Sequence, residues 1–215
     1  MTTLITGANR GVGRAMFDLL AETGDEVIGT HRAAPEGHFL RLDVTDPGSI
    51  RAMASDFGDR PLDLLVCNAG IFEDRGMALE NEYPADLWAR QFAVNVTGVF
   101  LCVQALLPNL RAAKGKVAII SSQMGSSEIA SGGSYIYRAS KAAAVNLGRN
   151  LAVDLKEDGI AVGIYHPGWV QTDMGGARAA ITPDTSAAGL IARFGELSVD
   201  TTGAFCTFDG TPHPF

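Results

Sequence analysis

The sequence TTLITGANRGVG, residues 2–13, decides the fold, because a short apolar run passes directly into a turn with three glycines. The apolar run predicts a buried strand from Thr2 to Thr6, and the residues after the turn predict an amphipathic helix from Gly11 to Glu22. A strand that leads through a glycine turn into a helix is the first half of a βαβ unit.

The same pattern repeats along the whole chain, with β-branched runs alternating with helical stretches. We therefore expect an α/β fold: a single-domain, Rossmann-like three-layer sandwich over residues 1–215, with a mostly parallel, seven-stranded sheet. The predicted strands are Thr2 to Thr6, Glu26 to His31, His38 to Asp43, Leu62 to Asn68, Lys116 to Ser121, Ile160 to His166 and Ala204 to Asp209. The predicted helices are Gly11 to Glu22, Pro47 to Phe57, Pro84 to Ala113 (ended or bent by Pro108), Ser134 to Glu157 and Thr185 to Leu197.

Composition excludes several classes of protein. The 215 residues are 47% hydrophobic, and the net charge of −7 disfavours nucleic acid and anionic membranes as partners. Three scattered cysteines and four dispersed histidines support neither a disulfide framework nor a metal site. No apolar run has the length of a signal peptide or a membrane span, so we expect a cytoplasmic protein.

The glycine turn predicts an anion site. Glycine permits tight curvature and lets backbone N–H groups approach an anion, and the N-terminus of a helix adds a favourable dipole. In the first βαβ unit the expected anion is the pyrophosphate of a dinucleotide; a plain sharp turn is the alternative. The residues of this predicted cradle are Gly7, Asn9, Arg10, Gly11, Val12 and Gly13.

The end of the second strand indicates which dinucleotide binds. A carboxylate there would accept the 2′-hydroxyl of NAD, but the strand ends in Thr30-His31-Arg32. Arg10 and Arg32 instead suit a 2′-phosphate, with His31 as a further phosphate contact. The sequence therefore favours NADP(H) as cofactor and leaves NAD(H) possible; two solvated arginines are the alternative.

Tyr137 and Lys141 form a candidate catalytic pair. They are four residues apart in a predicted helix, so their side chains share one face about 6 Å apart along the axis. A nearby ammonium favours phenolate, so we expect Lys141 to lower the pKa of Tyr137. Tyr135, whose fourth neighbour is Ala139, lacks such a partner.

These motifs occur in a familiar order. With the glycine turn, Asn68-Ala69-Gly70, Asn95, Ser122, the YxxxK run at Tyr137 and His166-Pro167-Gly168, the chain resembles the short-chain dehydrogenase/reductase family over nearly its whole length. It looks most like the small carbonyl-reductase and C-factor-like members. The resemblance implies an NAD(P)-dependent oxidoreductase acting on a small-molecule carbonyl or alcohol.

The resemblance also implies roles for individual residues. It implies a catalytic tetrad in which Tyr137 exchanges the proton, Ser122 holds the substrate oxygen, Lys141 binds the nicotinamide ribose and Asn95 supports a water relay. For the cofactor it implies contacts from Asp43 and Val44 at the adenine and from Asn68, Ala69 and Gly70 near the adenosine ribose. Beyond the sixth strand, the implied cofactor contacts are Pro167, Gly168, Val170 and Thr172.

Some alternatives stay open. The interval from Ser122 to Tyr137 is longer than the commonest family spacing of about 13 residues, and Ser121 is a rival for the role of Ser122. Asn68 and Asn95 would serve equally as core amides or caps. The loops Glu73 to Tyr83 and Gly168 to Pro183 are the expected substrate-binding segments.

The leading hypothesis is an NADP-preferring reductase of ketones or aldehydes. The alternative is a signalling or scaffold protein of the same fold that binds the cofactor with little catalysis. A nucleotide-sugar epimerase would need a substrate domain for which the residues after His166 leave no room. Because long helices often pair between subunits, we also expect a homo-oligomer, which light scattering would test.

Overall fold

In the part of the chain that the structure describes, seven strands, all parallel, form one sheet in the order β3-β2-β1-β4-β5-β6-β7. The computed structural model describes residues 1–33 and 37–215. The fold class is confirmed as a Rossmann-like sandwich, with a sheet that is wholly parallel. The strands are β1 (Thr2–Ile5), β2 (Glu26–His31), β3 (Phe39–Arg41), β4 (Leu64–Cys67), β5 (Lys116–Ile120), β6 (Ala161–His166) and β7 (Phe205–Thr207).

Helices cover both faces of the sheet. They are α1 (Gly11–Glu22), α2 (Pro47–Phe57), α3 (Ala85–Phe92), α4 (Gly98–Ala105), α5 (Leu107–Ala113), α6 (Tyr135–Leu155) and α7 (Pro183–Glu196). Side chains of α2, α4, α5 and α6 share one core with Leu4, while those of α1 and α7 share a second core with Ile5. Neighbouring residues of a strand point to opposite faces, so a strand buried on both faces must be apolar throughout.

The predicted helix from Pro84 to Ala113 is divided into several segments. A π-helical turn, Ala93–Thr97, joins α3 to α4, and the axis bends by 58° between Ala105 and Leu107. The bend confirms the predicted effect of Pro108, which has no N–H to donate and cannot continue a straight helix. Nothing in the sequence indicated the π turn. Among the described residues no single helix has the length and apolarity to cross a membrane; the bent pair Ala85–Ala105 and Leu107–Ala113 meets that test when its arms are combined.

Several predicted elements are shorter than expected at their ends. The third strand was predicted from His38 to Asp43 but is confined to Phe39–Arg41. Beyond it the N–H of Asp43 donates to the Ser49 hydroxyl, so a turn replaces the hydrogen bonds between strands.

Apolar side chains remain exposed on the outer helices, including Phe100 on α4 and Val153 on α6. Association of subunits through such faces stays a prediction.

His166 ends β6 as a buried, uncharged ring. Its side chain packs 5.9 Å from the ring of His213, and its Nδ1 atom has no hydrogen-bond partner among the described residues. Burial, reinforced by His213, lowers the pKa of His166 from 6.5 to about 4. Because the unfolded chain takes up this proton at higher pH than the folded protein, stability is complete above pH 6.5 and is lost as the pH falls towards 4.

We therefore expect His166 to make the protein acid-sensitive. Between pH 7 and pH 5 it should lower the free energy of unfolding by about 2 kcal/mol. In His166→Gln the substituted side chain does not titrate, so the decrease should be smaller by that amount. Urea unfolding of both proteins at the two pH values measures the difference. Equal decreases in the two proteins would contradict this account of His166.

Candidate functional site

The glycine turn is held by side chains from two neighbouring strands. Gly7 and Gly11 have φ angles of +66° and +57°, a region that favours glycine. The Asn68 amide after β4 donates to the carbonyls of Thr6 and Gly7 at 2.9 and 3.0 Å. The Thr6 hydroxyl accepts from the backbone N–H groups of Asn68 and Ala69, both at 3.0 Å. Asn68 is thus a satisfied amide that fixes the shape of the turn.

The turn leaves the N-terminus of α1 free to receive an anion. Arg10 occupies the capping position but makes no side-chain capping hydrogen bond, and the first N–H to bond within the helix is that of Arg14, at 3.2 Å. The N–H groups of Gly11, Val12 and Gly13 are therefore without helical partners. By contrast, Asp46 caps α2 and Thr182 caps α7. The exposed Asn9 borders this end of α1, and the whole set fits a phosphate group.

The residues predicted for the adenosine end follow β2 and β3. Val44 packs closely under α4, where a side chain on Gly98 would meet the Val44 carbonyl. Asp43 accepts from the Thr45 hydroxyl and N–H, and these bonds, with a smaller effect of Arg32, lower its pKa. The His31 ring lies 5.3 Å from that of Phe39, and its Nδ1 accepts from the N–H of Ala33.

Arg10 has a partner that the sequence did not suggest. Its guanidinium lies 3.1 Å from the carboxylate of Asp173, in the loop after β6, and both side chains are largely exposed. The role of Arg10 at a 2′-phosphate stays a prediction. A phosphate at Arg10 has to compete with Asp173, although an exposed ion pair contributes at most about 1 kcal/mol.

The loop after β6 reaches across to the glycine turn. Gly168 turns the chain with a φ of +87°, and the Pro167 carbonyl accepts from the Ser186 hydroxyl at 2.6 Å. Val170 forms a bridge with Ile181, and Thr172 places its methyl group near Gly11. The predicted residues of this loop therefore lie opposite the cradle.

The four predicted catalytic residues converge at the carboxyl ends of β4 and β5. Asn95 lies in the π turn, and its Oδ1 accepts from the Ile71 N–H at 2.9 Å while its Nδ2 donates to the Ile71 carbonyl and the Ser140 hydroxyl. The Lys141 ammonium donates to the Ile120 carbonyl at 2.9 Å and lies 5.7 Å from the ring of Tyr137. A side chain on Gly70 would contact both Asn95 and Lys141, so only a small residue fits there.

The structure distinguishes the two serines after β5. The Ser121 hydroxyl donates to the Lys141 carbonyl at 2.9 Å and is buried, so it ties β5 to α6. The Ser122 hydroxyl accepts from the N–H of Met124 and lies next to the Tyr137 phenol. A 3₁₀ turn, Gln123–Gly125, accommodates the longer interval before α6. Ser122 is therefore the serine that can reach a substrate oxygen.

The expected lowering of the Tyr137 pKa is wrong in direction. The phenol is only 7% exposed under the stacked ring of Phe72, with ring centres 4.1 Å apart. Burial raises the pKa of Tyr137 to about 12, against a smaller opposing effect of Ser122, and burial likewise lowers the pKa of Lys141 to about 8. The phenol is thus a neutral hydroxyl donor in the free protein. Desolvation sets the direction of both pKa shifts because both groups are buried.

Sequence reasoning missed Asp74, a fully buried carboxylate. It accepts from the N–H of Ile136 at 2.8 Å, from the N–H of Tyr137 at 3.3 Å and from the Gln91 amide at 3.0 Å. Ser134, at the capping position of α6, has a φ of +50° and makes no side-chain capping bond. Asp74 therefore supplies the cap of α6 from 62 residues away. An acid in a loop carries no sequence signal for this role, because the partner helix lies far along the chain.

Comparison with known proteins identifies relatives of this chain. The family model described as short chain dehydrogenase matches residues 1–181. The chain is 34% identical over 226 residues to the 1-hydroxy-2-glutathionyl-2-methyl-3-butene dehydrogenase of Rhodococcus sp. (strain AD45), covering 98% of this chain and 97% of the relative. It is 38% identical over 168 residues to the C-signal protein of Myxococcus xanthus, covering 77% of this chain and all of that protein.

Similarity in structure extends over the whole chain. The crystal structure of the NADPH-bound carbonyl reductase from chicken fatty liver superposes with a TM-score of 0.90 at 31% identity, covering 100% of this chain and 98% of that one. The protein therefore belongs to the short-chain dehydrogenase family, a family of oxidoreductases. The resemblance inferred from the motifs is confirmed.

The close packing at Gly13 can be tested directly. A Cβ at this position would overlap the Asn68 amide and the Gly7 carbonyl, so Gly13→Ala should lower the free energy of unfolding by about 1–3 kcal/mol. Gly195, near the end of α7, has open space around it, and Gly195→Ala should be neutral or stabilising by up to about 1 kcal/mol. Urea unfolding measures both, and equal effects of the two substitutions would exclude the overlap.

Proposed function

We propose that this protein is an NADPH-dependent reductase that converts a ketone or aldehyde to an alcohol, with residues 1–215 forming one dinucleotide-binding and catalytic domain. The observation that carries the proposal is the position of Tyr137. Its neutral phenol lies beside the Ser122 hydroxyl, with Lys141 one turn later, at the sheet edge that also holds the glycine cradle.

In the proposed reaction the chain supplies the proton and the oxygen contacts. Ser122 donates a hydrogen bond to the carbonyl oxygen and thereby holds it next to Tyr137. As negative charge develops on that oxygen, the Tyr137 hydroxyl transfers its proton to it, and preplaced donors lower the barrier because they need no reorganisation. The nicotinamide, when bound, supplies the hydride. Enclosure under Phe72 keeps Tyr137 protonated before the reaction.

The remaining polar groups would support this proton transfer. Lys141 would hold the nicotinamide ribose, and its pKa of about 8 allows it to pass a proton to Tyr137 near neutral pH. Asn95 joins the π turn to Ile71 and Ser140 by hydrogen bonds, and these bonds fix the position of the backbone next to Lys141. The glycine cradle, Asn68 to Gly70 and the loop from Pro167 to Thr172 would hold the rest of the cofactor.

The choice of NADP(H) rests on charge at the end of β2. The strand ends without a carboxylate, while Arg32 is exposed beside it, and the chicken carbonyl reductase of similar structure is NADPH-bound. Arg10 would serve the 2′-phosphate once that group displaces Asp173. A phosphate carrying close to two negative charges is the stronger partner for a guanidinium.

We expect Tyr137→Phe to abolish reduction of a broad carbonyl panel, followed at 340 nm with NADPH, by at least about a thousandfold. Binding of NADPH, measured by fluorescence, should persist because the fold and cradle are unchanged. Tyr135→Phe is the matched control and should keep its activity, because Tyr135 lies one-third exposed at the start of α6 and faces away from Lys141. Full activity in Tyr137→Phe would remove the proposed acid.

We also expect kcat/KM with NADPH to exceed that with NADH at least about tenfold, because one charged hydrogen bond contributes about 1.5–3 kcal/mol. Arg32→Gln should reduce that ratio by raising KM for NADPH alone. Parallel assays with the two cofactors measure it. A preference for NADH in the unaltered protein would refute the assignment of Arg10 and Arg32.

The similarity to C-signal supports a second candidate function. In this alternative the chain is a signalling or scaffold protein of this fold that binds the cofactor with little catalysis. The intact set of Asn95, Ser122, Tyr137 and Lys141 favours the enzyme. Purified protein that binds NADPH but oxidises none of it across the carbonyl panel would support the second function instead.

A further inference from the structure

Arg75 lies at the mouth of the site, one aromatic ring away from Tyr137. Its guanidinium carbon is 5.3 Å from the ring centre of Phe72, and that ring is stacked on Tyr137. Its Nη2 atom donates to the Gly175 carbonyl at 3.4 Å. Arg75 thus connects the two loops that border the phenol, the one after β4 and the one after β6.

A guanidinium carries five N–H donors, so this single long hydrogen bond leaves most of its capacity unused. The two acidic residues that precede Arg75 already have partners: Glu73 pairs with Arg90 at 2.7 Å, and Asp74 accepts from N–H groups of α6. In the other loop, Asp173 pairs with Arg10. Within residues 1–33 and 37–215, no carboxylate lies within 4 Å of Arg75.

The position of Arg75 brings its charge close to the chemistry. The guanidinium charge acts on Tyr137 in the direction that lowers the phenol pKa, although burial outweighs it. Two aromatic rings lie near it: Phe72 on its own loop, and the half-exposed ring of Trp169, whose Nε1 also donates to the Gly175 carbonyl, on the loop after β6. Arg75 itself is exposed, so an anion from solvent can reach its free N–H groups, and the Phe72 ring limits screening by water on one side of the guanidinium.

We propose that Arg75 binds a carboxylate of the substrate, so that the preferred substrates of this site are carbonyl compounds that also carry a carboxylate. This inference rests on the proposed function of the same site. A planar carboxylate matches the fork of a guanidinium. The distance of one aromatic ring between Arg75 and Tyr137 suits a carbonyl and a carboxylate separated by several bonds, with the apolar carbons between them lying against Phe72.

A matched pair of substrates tests the proposal. The aldehyde 4-formylbenzoate and its methyl ester share one carbon skeleton and differ in charge. In the unaltered protein we expect kcat/KM with NADPH to be about tenfold or more higher for the acid, chiefly through KM. Added salt should raise KM for the acid and leave that for the ester unchanged.

Three variants separate charge from structure. Arg75→Gln keeps an N–H donor for the Gly175 carbonyl but lacks the charge, and should reduce the acid-to-ester ratio to about one because kcat/KM falls much more for the acid than for the ester. Arg75→Lys keeps the charge without the fork and should give an intermediate ratio. Arg51→Gln removes an exposed arginine from α2, outside the two loops that border the phenol, and should leave the ratio unaltered.

The outcomes distinguish this inference from the proposed function. An acid-to-ester ratio near one in the unaltered protein overturns it, and so does an equal loss for both compounds in Arg75→Gln, which would indicate a structural role. Absence of turnover for both compounds contradicts the proposed function. In that case calorimetry tests carboxylate recognition without turnover, by measuring how tightly the acid and the ester bind to the Tyr137→Phe protein in the presence of NADPH. Tighter binding of the acid that is lost when Arg75 is also replaced supports carboxylate recognition. Equal binding of acid and ester refutes it.

Discussion

The parallel direction of all seven strands is the constraint on which the site depends. Parallel strands bring their carboxyl ends to one edge of the sheet, so the segments after β1, β4, β5 and β6 meet there, although they are separated by 40 to 60 residues or more in sequence. At that edge Asn68 and Thr6 join the ends of β4 and β1 by hydrogen bonds. The shape of the glycine turn is therefore maintained by the sheet and not by the turn alone.

Burial determines the protonation of Tyr137 and Lys141. Both are buried, as is Asp74, whose carboxylate accepts from the first turn of α6, while the Lys141 ammonium donates to the Ile120 carbonyl. Burial favours the neutral phenol of Tyr137 and lowers the pKa of Lys141. A neutral phenol is the form that the proposed proton transfer requires, and the cap from Asp74 holds the first turn of α6, which carries Tyr137, in place.

Most of the architecture was predictable from sequence. The strands were recognisable because both faces of the sheet are covered, so that runs such as those of β4 and β5 had to be apolar. The bend at Pro108 followed from the missing N–H. The ends of the strands were less predictable. Beyond β3, the N–H of Asp43 donates to the Ser49 hydroxyl and not to a neighbouring strand, so the end of the strand depends on a residue outside it.

The sequence by itself determined the order of elements, the glycine turn and the spacing of Tyr137 and Lys141, because each depends on residues within a few positions of one another. Tertiary structure alone decided that Asp74 caps α6, that Arg10 pairs with Asp173 and that Ser122 rather than Ser121 faces the phenol. It also reversed the expected pKa shift of Tyr137. These features depend on contacts between distant segments and on exclusion of water, and a local pattern of residues specifies neither.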